Sequence, residues 1–392
     1  DKISRLGLNL MLGSAYLRIT AIICVLLWVA GCQSVPSADS LDDGLETTAA
    51  QQPVEKLGSG PVKVAMILNY SADASNGGMS KSYRDGAALA MDDLGNEQLT
   101  LYIYDVANDQ KSIKGAVDKA VAEDSKLLIV PNNSTVLQTA AVPENKSSIV
   151  VLGDKLSSKF PRSYAFLPDG ISSLIAGIEH VAKPDRKKLV LILSEDQIPA
   201  DVDRISKAVS RSAELHAALV YKPNQNIKKL VKDNQQKLSS ADIIAFATNS
   251  PDTLKLIKEV VAQTGKGGKQ RLVGRNDWSQ AIKSDPAVSG ILVATLNQEG
   301  LGIVSNRFQE KYSKPINPQA GFTYDLIAMG SGLTRIKGKD GISKSNLENS
   351  SGFRGTLGNF RFKSDGSVER SFQLSRYRNG RIEQVQPAPK GF

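Results

Sequence analysis

The chain has 392 residues, 41% of them hydrophobic and 23% charged, which is ordinary globular composition with enough apolar material for a large core or two smaller ones. Its net charge is +9, yet the densest basic run (Lys222, Lys228, Lys229, Lys232, Lys237) has helical spacing and no interleaved aromatics, so it reads as a solvated helix face and not a nucleic-acid surface. Both cysteines, Cys24 and Cys32, lie near the start, and His180 and His216 stand alone, so the rest of the chain offers no disulfide, no cysteine-rich zinc site and no call for a metal or cofactor. The first element in chain order is the apolar run Ile19–Ala30, too short to span a bilayer and of the length of a signal-peptide core. Residues 32–60 are polar, small and poor in aromatics, as in a flexible tether.

From Pro61 the pattern changes. Val62–Leu68 is a short apolar run bounded by turn residues, as expected of a buried parallel strand. Met79–Leu94 has apolar residues at helical spacing and ends at Gly95. Leu99–Tyr104 (strand), Lys111–Glu123 (helix), Leu127–Val130 (strand), Val136–Ala141 (short helix) and Ser148–Leu152 (strand) continue the alternation. A second series follows: strands Leu189–Leu193, Ala217–Tyr221, Ile243–Ala247, Arg271–Val273 and Ile291–Thr295, with helices Ala200–Ser212, Ile227–Leu238 and Thr253–Gln263 between them. This order implies two α/β units, each a parallel sheet flanked by helices. Helices are predicted at Ser305–Tyr312 and Ala320–Ile336. Strands follow at Gly352–Leu357, Asn359–Lys363, Ser371–Arg378 and Arg381–Val385, the last two joined by the hairpin signal Asn379-Gly380.

The run Val29-Ala30-Gly31-Cys32 resembles the bacterial lipobox, which implies a lipoprotein signal peptide over residues 1–31 and lipidation of Cys32. Acyl chains would then anchor the protein to a membrane. Gln33 after the cysteine implies the outer membrane over the inner one, by likeness to enterobacterial lipoproteins.

Residues 61–385 resemble the type I periplasmic binding proteins of the leucine/isoleucine/valine-binding branch. The likeness rests on PVKVAMILNYSA, YRDGAALAMDDL with LTLYIYD, LLIVPNNSTVLQTAA, AGFTYDLIAMGSGL and the closing GTLGNFRFKSDGSVERSFQLSRYRNGRIEQV. It implies a two-lobed body over 61–392 with three crossings between lobes. Lobe 1 would comprise about 61–168 and 298–355; lobe 2 would comprise about 169–297 and the strands of 356–385. It implies a non-enzymatic periplasmic protein that closes on an amino-acid-like ligand for an inner-membrane ABC permease.

Ligands of open parallel sheets bind beyond the carboxyl ends of strands. Asn133, Ser134 and Thr135 follow the strand Leu127–Val130 and open a helix, where free N–H groups and a hydroxyl suit a carboxylate. Tyr70 and Ser71 follow the first strand, Asn249 follows Ile243–Ala247, and Asp277 follows Arg271–Val273, where the resemblance implies an acid for the ligand ammonium. Gly153-Asp154-Lys155 and Ser194-Glu195-Asp196-Gln197 depart from the family's usual ligand-touching residues, and Arg275 and Lys155 argue against a purely aliphatic ligand.

The tail, Gly355–Gly358 with Ser364-Asp365-Gly366, Glu369-Arg370 and Tyr377–Gly380, also resembles the penicillin-binding protein activators. Those are outer-membrane lipoproteins of the same fold, so that likeness implies a peptidoglycan synthase as partner. No nucleophile elbow, P-loop or zincin motif is present, and Gly265–Gly268 follows a helix where a phosphate loop follows a strand.

Overall fold

The structure is a computed structural model that describes residues 53–69, 71, 78–107, 109–132, 146–156, 162–182, 187–265 and 269–392. The strands are β1 Glu55–Leu57, β2 Val62–Leu68, β3 Leu99–Asp105, β4 Leu127–Pro131, β5 Ser148–Leu152, β6 Ser163–Ala165, β7 Lys187–Ser194, β8 Ala213–Tyr221, β9 Ile243–Phe246, β10 Arg271–Gly274, β11 Leu292–Leu296, β12 Phe353–Gly355, β13 Gly358–Phe362, β14 Val368–Arg370, β15 Phe372–Arg378 and β16 Arg381–Gln386. The main helices are α1 Met79–Ala90, α2 Gln110–Ala122, α3 Gly170–Ala182, α4 Ala200–Val209, α5 Ile227–Asp233, α6 Gln235–Ser240, α7 Thr253–Thr264, α8 Glu299–Tyr312 and α9 Pro318–Lys337.

Alternation along β2 shows why a continuous apolar run becomes a central strand. Val64, Met66 and Leu68 enter the core cluster under α1 and α9, while Ala65 and Ile67 enter the one under α2. Both faces are covered, so nothing in Val62–Leu68 can be polar without a partner except Lys63 at its entry. Each fully buried aliphatic side chain there contributes about 1.5–3 kcal/mol. Helix α2 starts where Asp109 accepts the Ser112 amide at 2.8 Å, an N-cap the sequence carries in plain view. Helix α1 passes so close to α9 that a Cβ on Gly86 would lie 2.0 Å from the Ala320 carbonyl oxygen.

The first sheet runs β1-β3-β2-β4-β5-β6 and the second β16-β15-β11-β10-β9-β7-β8. Within each, five strands are parallel; β1, β15 and β16 add antiparallel edges. A third, antiparallel sheet β12-β13-β14 packs Phe360 and Phe362 into the first lobe's core. The two α/β units predicted from the alternation are present, and Asn379 and Gly380 take φ of 50° and 77° in the expected hairpin.

The structure differs from expectation in several places, among them the unpredicted short strand β14. Glu55–Leu57, placed in the tether, forms β1 against β3, because the Arg84 guanidinium pairs with Glu55 at 2.9 Å and fixes it. Helix α3 and strand β6 occupy a stretch for which no element was predicted. The third passage between lobes falls at Ser371 and not near residue 355, since the apolar faces of β13 and β14 have their partners in lobe 1. The predicted helix Val136–Ala141 lies outside the described residues. Among the described residues no helix is long and apolar enough to cross a membrane.

Candidate functional site

Both main sheets order their parallel strands alike, β3-β2-β4-β5-β6 and β8-β7-β9-β10-β11. In each, chain order reverses once, between β2 and β4 and between β7 and β9. A crevice opens beyond the carboxyl ends at such a reversal, because the two connections leave toward opposite faces. In the sequence, the predicted residues of lobe 1 all come directly after β2 or β4. Tyr70, Asn133, Ser134 and Thr135 lie outside the described residues, as does Cys32. Ser71 is described and exposed; its amide donates to Asp105 Oδ1 at 3.2 Å and its hydroxyl donates to Oδ2. Asp105 ends β3, so this bond joins two neighbouring strand ends. Asn132 lies over Gly153: a Cβ there would sit 2.3 Å from Asn132 Oδ1, so glycine leaves the room that ties β4 to β5.

On lobe 2, exposed Asn249 donates from Nδ2 to the Asp277 carbonyl at 3.5 Å. Asp277 itself is clasped by Arg275, with Nε on Oδ1 at 2.8 Å and Nη2 on Oδ2 at 2.6 Å. Arg275 Nη1 donates to the Ala247 carbonyl at 2.6 Å, anchoring the clasp to the end of β9. The carboxylate expected to meet a ligand ammonium is therefore already matched by a bidentate guanidinium, the stronger form of ion pair. Beneath it the fully buried Trp278 donates Nε1–H to the Thr248 carbonyl at 3.1 Å and stacks on Tyr377 at 5.8 Å. Trp278, next after Asp277, supports the site from below.

The first crossing, Phe166–Asp169, joins these two sets. Phe166 and Leu167 donate their amides to Val151 and Gly153 at the end of β5. Three residues after Leu167, a Cβ at Gly170 would lie 2.3 Å from Asp277 Oδ1 and 2.5 Å from Arg275 Nε. The carboxyl ends of both parallel sheets thus border the same short segment. Asp169 caps α3 through the Ser172 amide at 2.7 Å and accepts Arg204 Nη2 at 3.0 Å. Burial pushes the Asp169 carboxyl up, but Arg204 and Ser172 outweigh it and hold it below the usual carboxylate range. Burial works against Arg204 too, and Asp169 more than restores its charge, helped by Asp201 and Asp154. Sequence reasoning missed this pair; Asp169-Gly170 ahead of the apolar positions of α3 was the available N-cap signal.

Two buried charged groups, Arg370 and Asp325, lie beside the other crossings. Arg370, buried in the protein, donates Nη2–H to the Phe166 carbonyl at 2.8 Å and lies over the rings of Phe166 and Phe322 at 4.4 and 4.8 Å. It thereby ties the third crossing to the first. Asp325 of α9 accepts the Thr356 amide at 2.7 Å, and the Thr356 backbone packs against Gly300 just past the second crossing. Burial raises the Asp325 carboxyl to about 6 despite Thr356 and Arg370, and burial pulls Arg370 down from the usual arginine range. Among the described residues, Asp325 Oδ2 and Arg370 Nε and Nη1 have no hydrogen-bond partner.

Residues 61–381 match the family model described as periplasmic binding protein. The chain belongs to that family. Solved structures similar to this periplasmic binding protein share its two-lobed plan. One, described as a putative branched-chain amino acid ABC transporter from Rhodospirillum rubrum, is 14% identical, with 83% of this chain and 99% of that one covered at a TM-score of 0.65. An ABC-type branched-chain amino acid transporter from Rhodopseudomonas palustris is 13% identical, with coverage of 83% and 96% and a TM-score of 0.63. An ABC transporter substrate-binding protein from Desulfitobacterium hafniense, in complex with Leu, is 14% identical, with coverage of 83% and 99% and a TM-score of 0.57. At these identities the likeness is one of fold. No curated protein matches the chain.

Proposed function

We propose that this periplasmic binding protein is a non-enzymatic solute receptor that clasps a small amino acid or organic acid between its lobes and presents it to an ABC-type permease. One observation carries the reading: the carboxyl ends of both parallel sheets meet at the first crossing, where Gly170 touches the Arg275–Asp277 clasp. Polar groups that converge there can grip a ligand from two sides, and ligand bridging favours the closed arrangement by its extra contacts. In this reading Ser134 and Thr135, which follow β4 in the sequence, supply the carboxylate site. With Asp277 matched by Arg275, the lobe-2 side favours a ligand that is anionic or zwitterionic over a simple cation. The leucine in the Desulfitobacterium relative is such a molecule. A lipid anchor at Cys32 and a periplasmic location belong to the same reading.

The test is titration calorimetry of the protein against a panel of amino acids and organic acids. A ligand should bind, and Ser134→Ala/Thr135→Ala should weaken it about tenfold, equivalent to roughly 1.4 kcal/mol. The melting temperature without ligand should stay put. Unaltered affinity in the double variant refutes the carboxylate site. No binding by wild type across the panel refutes the receptor reading and favours a docking role toward a peptidoglycan synthase.

A further inference from the structure

Residues 387–392 (Pro-Ala-Pro-Lys-Gly-Phe) follow β16 of the second sheet and lie against the first lobe. The Pro389 carbonyl accepts the Ser371 hydroxyl at 3.0 Å, and the Lys390 carbonyl accepts Asn359 Nδ2 at 3.0 Å. The Phe392 ring lies 4.5 Å from the Arg361 guanidinium and fills the space beside Gly352, where a Cβ would come within 2.9 Å of it. Arg361 is held in turn by Glu369 at 2.7 Å and by the Ser350 carbonyl at 2.9 Å. Asn359 and Arg361 are on β13, Gly352 precedes β12, and Ser371 is the third crossing itself. Pro387 and Pro389 fix φ and stiffen the segment, so it transmits force instead of absorbing it.

Its place beside the crossings matters. Leu296, from which the second crossing departs, pairs with Phe372, where the third arrives; Gln386, where the segment departs, pairs with Leu374. These three links leave one end of the second sheet in a row. Neighbouring strands are about 4.8 Å apart, so a row of links resists twist while still allowing bending across it.

We propose that residues 387–392 are a strap, a fourth and releasable link that restrains rotation of the second lobe about the three crossings. Rotation carries β16 away from β13, and the contacts at Asn359 and Arg361 must then part. The covalent crossings cannot part, so the strap is the link through which the lobe angle can be gated. This inference does not depend on the identity of any ligand.

Hydrogen exchange read by mass spectrometry on the full chain tests it. The probes are the Phe166 and Leu167 amides of the first crossing, which donate to Val151 and Gly153 and are not among the groups the segment contacts. Deleting 387–392 should speed their exchange about fivefold through freer lobe motion, while Leu189–Leu193 of β7 keeps its wild-type rate. Phe392→Ala, a change at a partly exposed ring, should act in the same direction and serves where the deletion also loosens β7. If either variant with an intact β7 changes exchange only within 352–372, the segment is a local cover and the strap is refuted.

Discussion

Asp325 sets up a pH dependence that can be worked from the structure. Its carboxyl is buried, with the residue 3% exposed, and is raised from 3.8 to about 6, chiefly by desolvation. Between those values the folded protein holds a proton that the unfolded chain releases. The contribution is therefore full below about pH 3.8 and is lost as pH rises through about 6. At 1.36 kcal/mol per pK unit the whole effect is about 3 kcal/mol, of which about 2 kcal/mol falls between pH 4.5 and 7.5. Asp325→Asn keeps an oxygen for the Thr356 amide and abolishes the titration. Any cost from the amide group beside Gly355 is the same at every pH. Urea unfolding of both proteins across that range should show wild type losing about 2 kcal/mol relative to the variant as pH rises. A difference that stays flat refutes the reasoning. So does wild type gaining on the variant, which would mean that Arg370 stabilises the carboxylate more than burial penalises it.

Two further outcomes follow from close approaches. Gly86→Ala drives a methyl to 2.0 Å from the Ala320 carbonyl and should force α1 from α9, lowering stability by about 1–3 kcal/mol in thermal unfolding. Gly170→Ala places its methyl 2.3 Å from Asp277 Oδ1 and should displace the Arg275 clasp. It should weaken ligand binding about tenfold by calorimetry, equivalent to roughly 1.4 kcal/mol, with a much smaller effect on melting temperature than Gly86→Ala.

By itself the sequence determined the α/β class, the doubled plan and most element positions. The apolar runs Val62–Leu68 and Ser148–Leu152 are continuous because both faces of a central parallel strand are buried, and that signal is local. The Asn379-Gly380 hairpin is equally local, since its two positive φ angles restrict which residues fit. The strand-end placement of the candidate site was legible for the same reason: ligand ends of parallel strands follow from chain direction alone. Tertiary structure decided what no window of sequence carries. Asp277 was expected to be a free acid, yet its charge is answered by Arg275, whose orientation is fixed by the Ala247 carbonyl 28 residues away. Asp169 and Arg204 are 35 residues apart, and Arg370 meets Phe166 across 204. Periodicity reports which face of an element is buried; it says nothing about which distant charge arrives on that face. The short strands β1, β6 and β14 escaped detection because three residues carry no period. The helix α3 was missed although its apolar spacing and Asp169 cap were there to read. The third crossing fell at Ser371 because the partners of Phe360 and Phe362 belong to the first lobe's core, and only the folded chain brings those surfaces together.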